Sequence, residues 1–133
     1  MGDRKGAPLQ IEIRQRYIVK VYNVTQQQWL AERTEIAENF WTRLRGLIGH
    51  APLRPGEAML IRPCKGVHCW FMGFPLDIIF VDNNWRVVSV EHDMRPWAVG
   101  RPIKAAAFVI EMASGEAQRT QTMVGDQLQA RAT

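Results

Sequence analysis

Residues 76–91 read Leu76-Asp77-Ile78-Ile79-Phe80-Val81-Asp82-Asn83-Asn84-Trp85-Arg86-Val87-Val88-Ser89-Val90-Glu91. Leu76 to Val81 is apolar throughout except at Asp77, the pattern of a central strand buried on both faces. Asp82-Asn83-Asn84 supplies three turn formers in a row, which marks a hairpin. Trp85 to Glu91 then alternates and reads as the return strand. Strands joined by so short a turn run antiparallel, so this stretch points away from a parallel nucleotide-binding sheet.

Working outward, Tyr17 to Tyr22 is rich in β-branched and aromatic residues and reads as a strand. Trp29 to Ala37 alternates more weakly and reads as a second. A helix is expected from about Glu38 to Ile48, with Asn39 at the N-cap. Phe40, Leu44, Leu47 and Ile48 line one side of it, Gly49 follows at the C-cap and Pro52 as a stop. Pro55-Gly56 is a turn, Glu57 to Arg62 a short apolar strand and Val67 to Met72 another. Residues 92–105 read as a long loop and Ala106 to Ala113 as a strand ending at Ser114-Gly115. Glu116 to Gln121 fits one helical turn, and Met123 to Gln129 a closing strand.

Roughly seven short strands with one clear helix imply an α+β fold: mostly antiparallel β, a small barrel-like or half-closed sheet with one main packed helix. Residues 1–15 are expected to form a flexible polar arm, and 16–133 a single globular domain. The 133 residues are near the modal domain size, and 47% apolar with 23% charged is ordinary for a globular chain. No apolar run approaches the ~20 residues of a membrane helix. No GxGxxG or GxxxxGK[ST] motif follows a strand. The N-terminus has no apolar stretch behind its charges, so a cytoplasmic setting with reduced thiols is expected for Cys64 and Cys69.

Four segments then resemble, in order, the motifs of one bacterial and archaeal family. They are Arg43-Leu44-Arg45-Gly46-Leu47-Ile48-Gly49, the run from Cys64 to Asp82 with Pro75-Leu76-Asp77 at its centre, Ala107 to Gly115 with Glu111, and Val124-Gly125-Asp126. The family is known as domain of unknown function 192. Cys64, Val67, His68, Met72, Phe74, Pro75 and Asp77 match its short-loop C-x-x-V-H variant; this chain departs from it at Cys69, Trp70 and Phe71, which stand where the variant has Thr, Phe and Gly. The resemblance implies a compact β-rich domain and no established activity. It also suggests an envelope or pilus setting.

Asp77 and Glu111 are carboxylates inside apolar strands, and such groups need partners. Asp77 fits either a structural role, bonded to backbone amides or to Arg43, or the floor of a pocket. Arg43, Asp77 and Glu111 together could form one polar cluster. Cys64, His68 and Cys69 do not have a standard zinc spacing, and strand alternation splits His68 from Cys69, so neither metal nor cofactor is expected. Trp70 and Met72 belong to an aromatic run with one face available as a platform for a sugar or peptide. Arg54, Arg62, Lys65, Arg86, Arg95, Arg101 and Lys104 are scattered rather than striped. The net charge of +4 is therefore read as dispersed surface, and nucleic acid is not the expected partner.

The expected role is a non-catalytic domain binding a small polar ligand or a partner protein. Its cleft would be built from His68, Trp70, Met72 and Asp77, with Arg43 and Glu111 behind. Two alternatives stand beside it: a small hydrolase-like enzyme using Cys64 or Asp77 with His68, and a structural accessory domain of an envelope or pilus system.

Overall fold

The computed structural model describes residues 17–37, 53–62, 74–95 and 103–133. They form β1 (Tyr17–Asn23), β2 (Gln28–Ala37), β3 (Glu57–Ile61), β4 (Leu76–Val81), β5 (Val87–Met94), β6 (Phe108–Ala113), a single helical turn α1 (Glu116–Arg119) and β7 (Leu128–Ala132). All seven strands belong to one sheet in the order β5-β4-β6-β3-β2-β1-β7. Each neighbouring pair is antiparallel except β2 with β3, which is parallel. A parallel pair needs a crossover of about a dozen residues or more, and residues 38–56 provide that length.

The sheet curls until its two edge strands meet at one end. Arg86 bridges Gln127. Val87 N–H donates to Asp126 C=O at 2.9 Å, Gly125 N–H to Val87 C=O at 2.8 Å, and Leu128 N–H to Trp85 C=O at 2.8 Å. The result is a half-closed barrel with two apolar faces. The inner face holds Val21, Leu30, Leu60, Ile79, Val81, Ile110, Met112 and Leu128. The outer face of the central strands holds Met59, Ile61, Leu76, Ile78, Phe80 and Val109. Every residue of β4 is buried, because its two side-chain sets serve both clusters. Each large side chain so buried contributes about 1.5–3 kcal/mol relative to exposure.

The antiparallel hairpin expected from residues 76–91 is present, with one change. The Asp82 carboxylate accepts from Asn84 and Arg86 N–H, both at 2.9 Å, and Trp85 is drawn into a left-handed conformation (φ 64°). The return strand therefore starts at Val87 rather than Trp85, and the Trp85 ring packs on Phe108 with centroids 4.8 Å apart. It runs on through His92 and Asp93 to Met94, residues expected in a loop.

The closing strand is also displaced. Met123 N–H donates to the Asp126 carboxylate at 2.9 Å and Asp126 N–H returns to Met123 C=O at 3.0 Å. Gly125 takes φ +96°, a conformation open to glycine and costly for other residues. Residues 123–126 are thus a tight turn, and β7 begins beyond it.

The expected mainly antiparallel β half-barrel is present, and helix among the described residues is limited to the short α1, so a main packed helix overstates the helical part of the described fold. The helix expected at Glu38–Ile48, the strand expected at Val67–Met72 and the arm at 1–15 lie outside the described residues. No helix among the described residues is long and apolar enough to cross a membrane.

Candidate functional site

Of the residues singled out in the sequence, Arg43, Cys64, His68, Cys69, Trp70 and Met72 lie outside the described residues. Asp77 and Glu111 lie within them, on different faces of the sheet. Asp77 is opposite Met112 and joins the inner face. Glu111 is opposite Ile78 and Met59, residues of the outer face. The sheet itself separates the two carboxylates, so they do not share one polar cluster.

Asp77 is fully buried. One carboxylate oxygen accepts the Asp93 N–H at 2.8 Å, and the other accepts Gly115 N–H at 3.0 Å and Ala117 N–H at 2.9 Å. Gly115 is the N-cap of α1 and has no side chain to cap it. Asp77 performs that task from a strand some forty residues earlier, where a negative charge is favoured. Asp93 is itself left-handed (φ 52°) and accepts the Ser114 hydroxyl at 2.6 Å. The Pro75-Leu76-Asp77 stretch thus ties β4, the end of β5 and the turn before α1 together. This carboxylate is closed to solvent, with both oxygens bonded to backbone N–H groups.

Asp126 does similar work at the other end. It accepts the Asn23 side-chain amide at 2.9 Å, the Gln26 amide at 3.1 Å and the Met123 N–H at 2.9 Å. Asn23 and Asp126 are both buried, and the bond joins residues 103 positions apart. The Gly-Asp pair in the sequence was the available signal for this closing joint; the partner Asn23 left no local signal.

An open groove of about 360 Å³ lies where β2, the Pro55-Gly56 turn and α1 meet. Trp29, Ala31, Glu32, Pro55, Gly56 and Arg119 line it. Its floor is rigid. Gly56 C=O accepts both Glu32 N–H (2.9 Å) and Arg33 N–H (3.0 Å), while Gly56 N–H donates to the Glu116 carboxylate at 3.1 Å. Arg119 grips that carboxylate with two bonds of 2.7 Å. These bonds hold the Glu116 carboxyl below its usual range: Arg119 contributes most, burial opposes it and the Gly56 amide adds to the lowering. The same pair raises Arg119, with the charge of Glu32 adding to it. The Arg119 side chain is 57% exposed, so its free edge faces the groove and solvent. None of these groove residues was a sequence candidate, because they come from three segments that only the fold brings together.

The model of the family DUF192, described as "Uncharacterized ACR", matches residues 21–130. The chain belongs to the DUF192 family. A UPF0127 protein of Pyrococcus abyssi is 36% identical over 104 residues, covering 73% of this chain and 85% of that protein. A UPF0127 protein of Thermococcus sibiricus is 29% identical over 114 residues, covering 80% of this chain and 71% of that one. A crystal structure of a protein of unknown function from Novosphingobium aromaticivorans shares the fold with a TM-score of 0.69. It is 24% identical and covers 86% of this chain and 84% of its own. In this DUF192 member the matched span includes both joints, at Asp77 and Asp126, and every residue of the groove. Among the described residues there is no cluster of three or more His, Cys, Asp or Glu side chains able to hold a metal ion.

Proposed function

We propose that this DUF192 protein is a non-catalytic binding domain whose ligand, a small polyhydroxylated ring, sits in the groove beside α1. The lining of that groove carries the reading. Trp29 and Pro55 offer flat apolar surface, and Glu32 and Arg119 offer an acceptor and a donor of opposite charge beside it. Apolar walls with a few fixed polar groups are the usual make-up of a small-ligand site, and about 360 Å³ is at the small end of that range. A sugar ring has the matching character: one apolar face for the indole and hydroxyls for the charged groups. Opposite charges in the groove favour a neutral body over a net ion.

The test is a titration with glucose followed by NMR of the Trp29 indole N–H and the Gly56 amide. Saturable shifts at both, weakened in Glu32→Gln, are expected. Linear shifts spread over the molecule, or shifts indifferent to Glu32→Gln, would overturn the reading.

A further inference from the structure

Trp29 has a second side. On the outer surface of β7-β1-β2 its ring meets Tyr22 edge-on, with centroids 5.0 Å apart and planes at 72°. Two cations stand over this aromatic pair. Lys20 Nζ is 5.4 Å from the Trp29 centroid; the Arg131 guanidinium is 5.6 Å from that centroid and 4.1 Å from that of Tyr22. Lys20 and Arg131 are also direct cross-strand partners in the β1–β7 ladder.

Like charges placed directly opposite each other on adjacent strands are unfavourable. Among the described residues, neither cation has a carboxylate within ion-pair distance. Arg131 spends its Nε–H on the Gln129 side chain at 2.8 Å, and its Nη groups have no acceptor there. The aromatic rings offset part of the repulsion, and an oxyanion between the two cations would remove the rest. Local rules broken without internal compensation concentrate at functional sites.

From this juxtaposition we infer that Lys20 and Arg131 form an oxyanion subsite for a phosphate monoester on the ligand whose body occupies the groove. This rests on the groove reading and extends it from a neutral ring to a phosphorylated one. Trp29 is the shared residue, since it is among those lining the groove and its indole carries the two cations. A guanidinium and an ammonium together suit the phosphate: the planar fork takes two oxygens and the ammonium a third.

The experiment compares inorganic phosphate, glucose and glucose 6-phosphate at constant ionic strength, read by NMR at Lys20, Tyr22, Gly56 and the Trp29 indole. Glucose 6-phosphate is expected to bind at least about tenfold more tightly than glucose, from two charge-assisted contacts. Lys20→Gln and Arg131→Gln should each erase that advantage while leaving glucose binding unchanged. Lys20→Arg should keep it. Neither Gln variant should melt earlier than the parent, since each removes an opposed charge.

Equal affinity for glucose and glucose 6-phosphate would overturn the subsite and leave the groove standing. Phosphate shifts confined to Lys20 and Tyr22, with no sugar reaching Gly56, would keep the subsite and overturn the groove. A dT oligonucleotide that binds more tightly than glucose 6-phosphate, through the same two cations, would overturn the small-ligand assignment in favour of a single-stranded polymer.

Discussion

Replacing Asp77 by Asn separates a carboxylate that holds backbone from one that serves a ligand. The carboxylate accepts three N–H groups at 2.8–3.0 Å in a fully buried position. An amide of the same shape keeps one oxygen, so one or two of those donors must face an NH2 group instead. A hydrogen bond to a charged acceptor contributes about 1.5–3 kcal/mol, and a buried donor left unpaired costs about 1–3 kcal/mol. Asp77→Asn should therefore lose about 2–3 kcal/mol, a large part of the ~5–15 kcal/mol that stabilises a domain. For a chain of this length each kcal/mol moves the melting temperature by roughly 4 °C, so a drop of about 8–12 °C is expected. Urea unfolding at neutral pH, followed by circular dichroism, gives the free energy. Hydrogen exchange at the Asp93, Gly115 and Ala117 amides locates the damage, and those three should lose protection ahead of the β3–β6 ladder. A variant within about 0.5 kcal/mol of the parent, with those amides still protected, would refute the idea that Asp77 caps α1.

Other outcomes follow from the same geometry. Asp126→Ala strands the buried Asn23 amide and the Met123 N–H and should cost about 3 kcal/mol in urea denaturation. Gly125→Ala meets no atom within 4 Å, so its expected loss of about 1–2 kcal/mol is purely the backbone strain of φ +96° and should leave the native spectrum unchanged. The lowered folded-state pKa of Glu116 means that its bonds to Arg119 and Gly56 stabilise the fold fully above the ordinary carboxyl range. That contribution is lost as pH falls through the folded value. A stability–pH curve for Glu116→Gln should accordingly be flatter on the acid side than that of the parent.

The hairpin from β4 to β5 is legible in the sequence because its signals are local: an unbroken apolar run, three turn formers and an alternating return. The strand edges move where a carboxylate side chain bonds backbone a few positions away and bends the chain out of the ladder. Asp126 reaches Met123 and turns the expected start of β7 into a bend, and Asp82 pulls Trp85 out of the return strand. Asp77 is conspicuous as a charge in an apolar run, but its face is set by register with β6, which no local pattern specifies. That register is also what parts it from Glu111. The groove is invisible in the sequence for a related reason. Its floor depends on the parallel pairing of β2 with β3 and on Gly56 bonding to Glu116, sixty positions away. Likewise Lys20 and Arg131 look like two scattered basic residues until the first and last strands lie side by side.

The pairing of β1 with β7 has a consequence for how the protein is made. β1 leaves the ribosome first and can pair with β2 at once, yet its other edge stays open until the last strand is translated. At about 5–20 residues per second, the hundred or so residues from β1 to β7 leave that edge open for seconds. An open edge is a template for pairing with another chain. The nascent protein therefore passes through a period when self-association competes with completion of its own sheet. Residues 123–126, clamped by Asp126 against Asn23 beside the β1–β2 turn, present β7 to that edge as soon as it emerges.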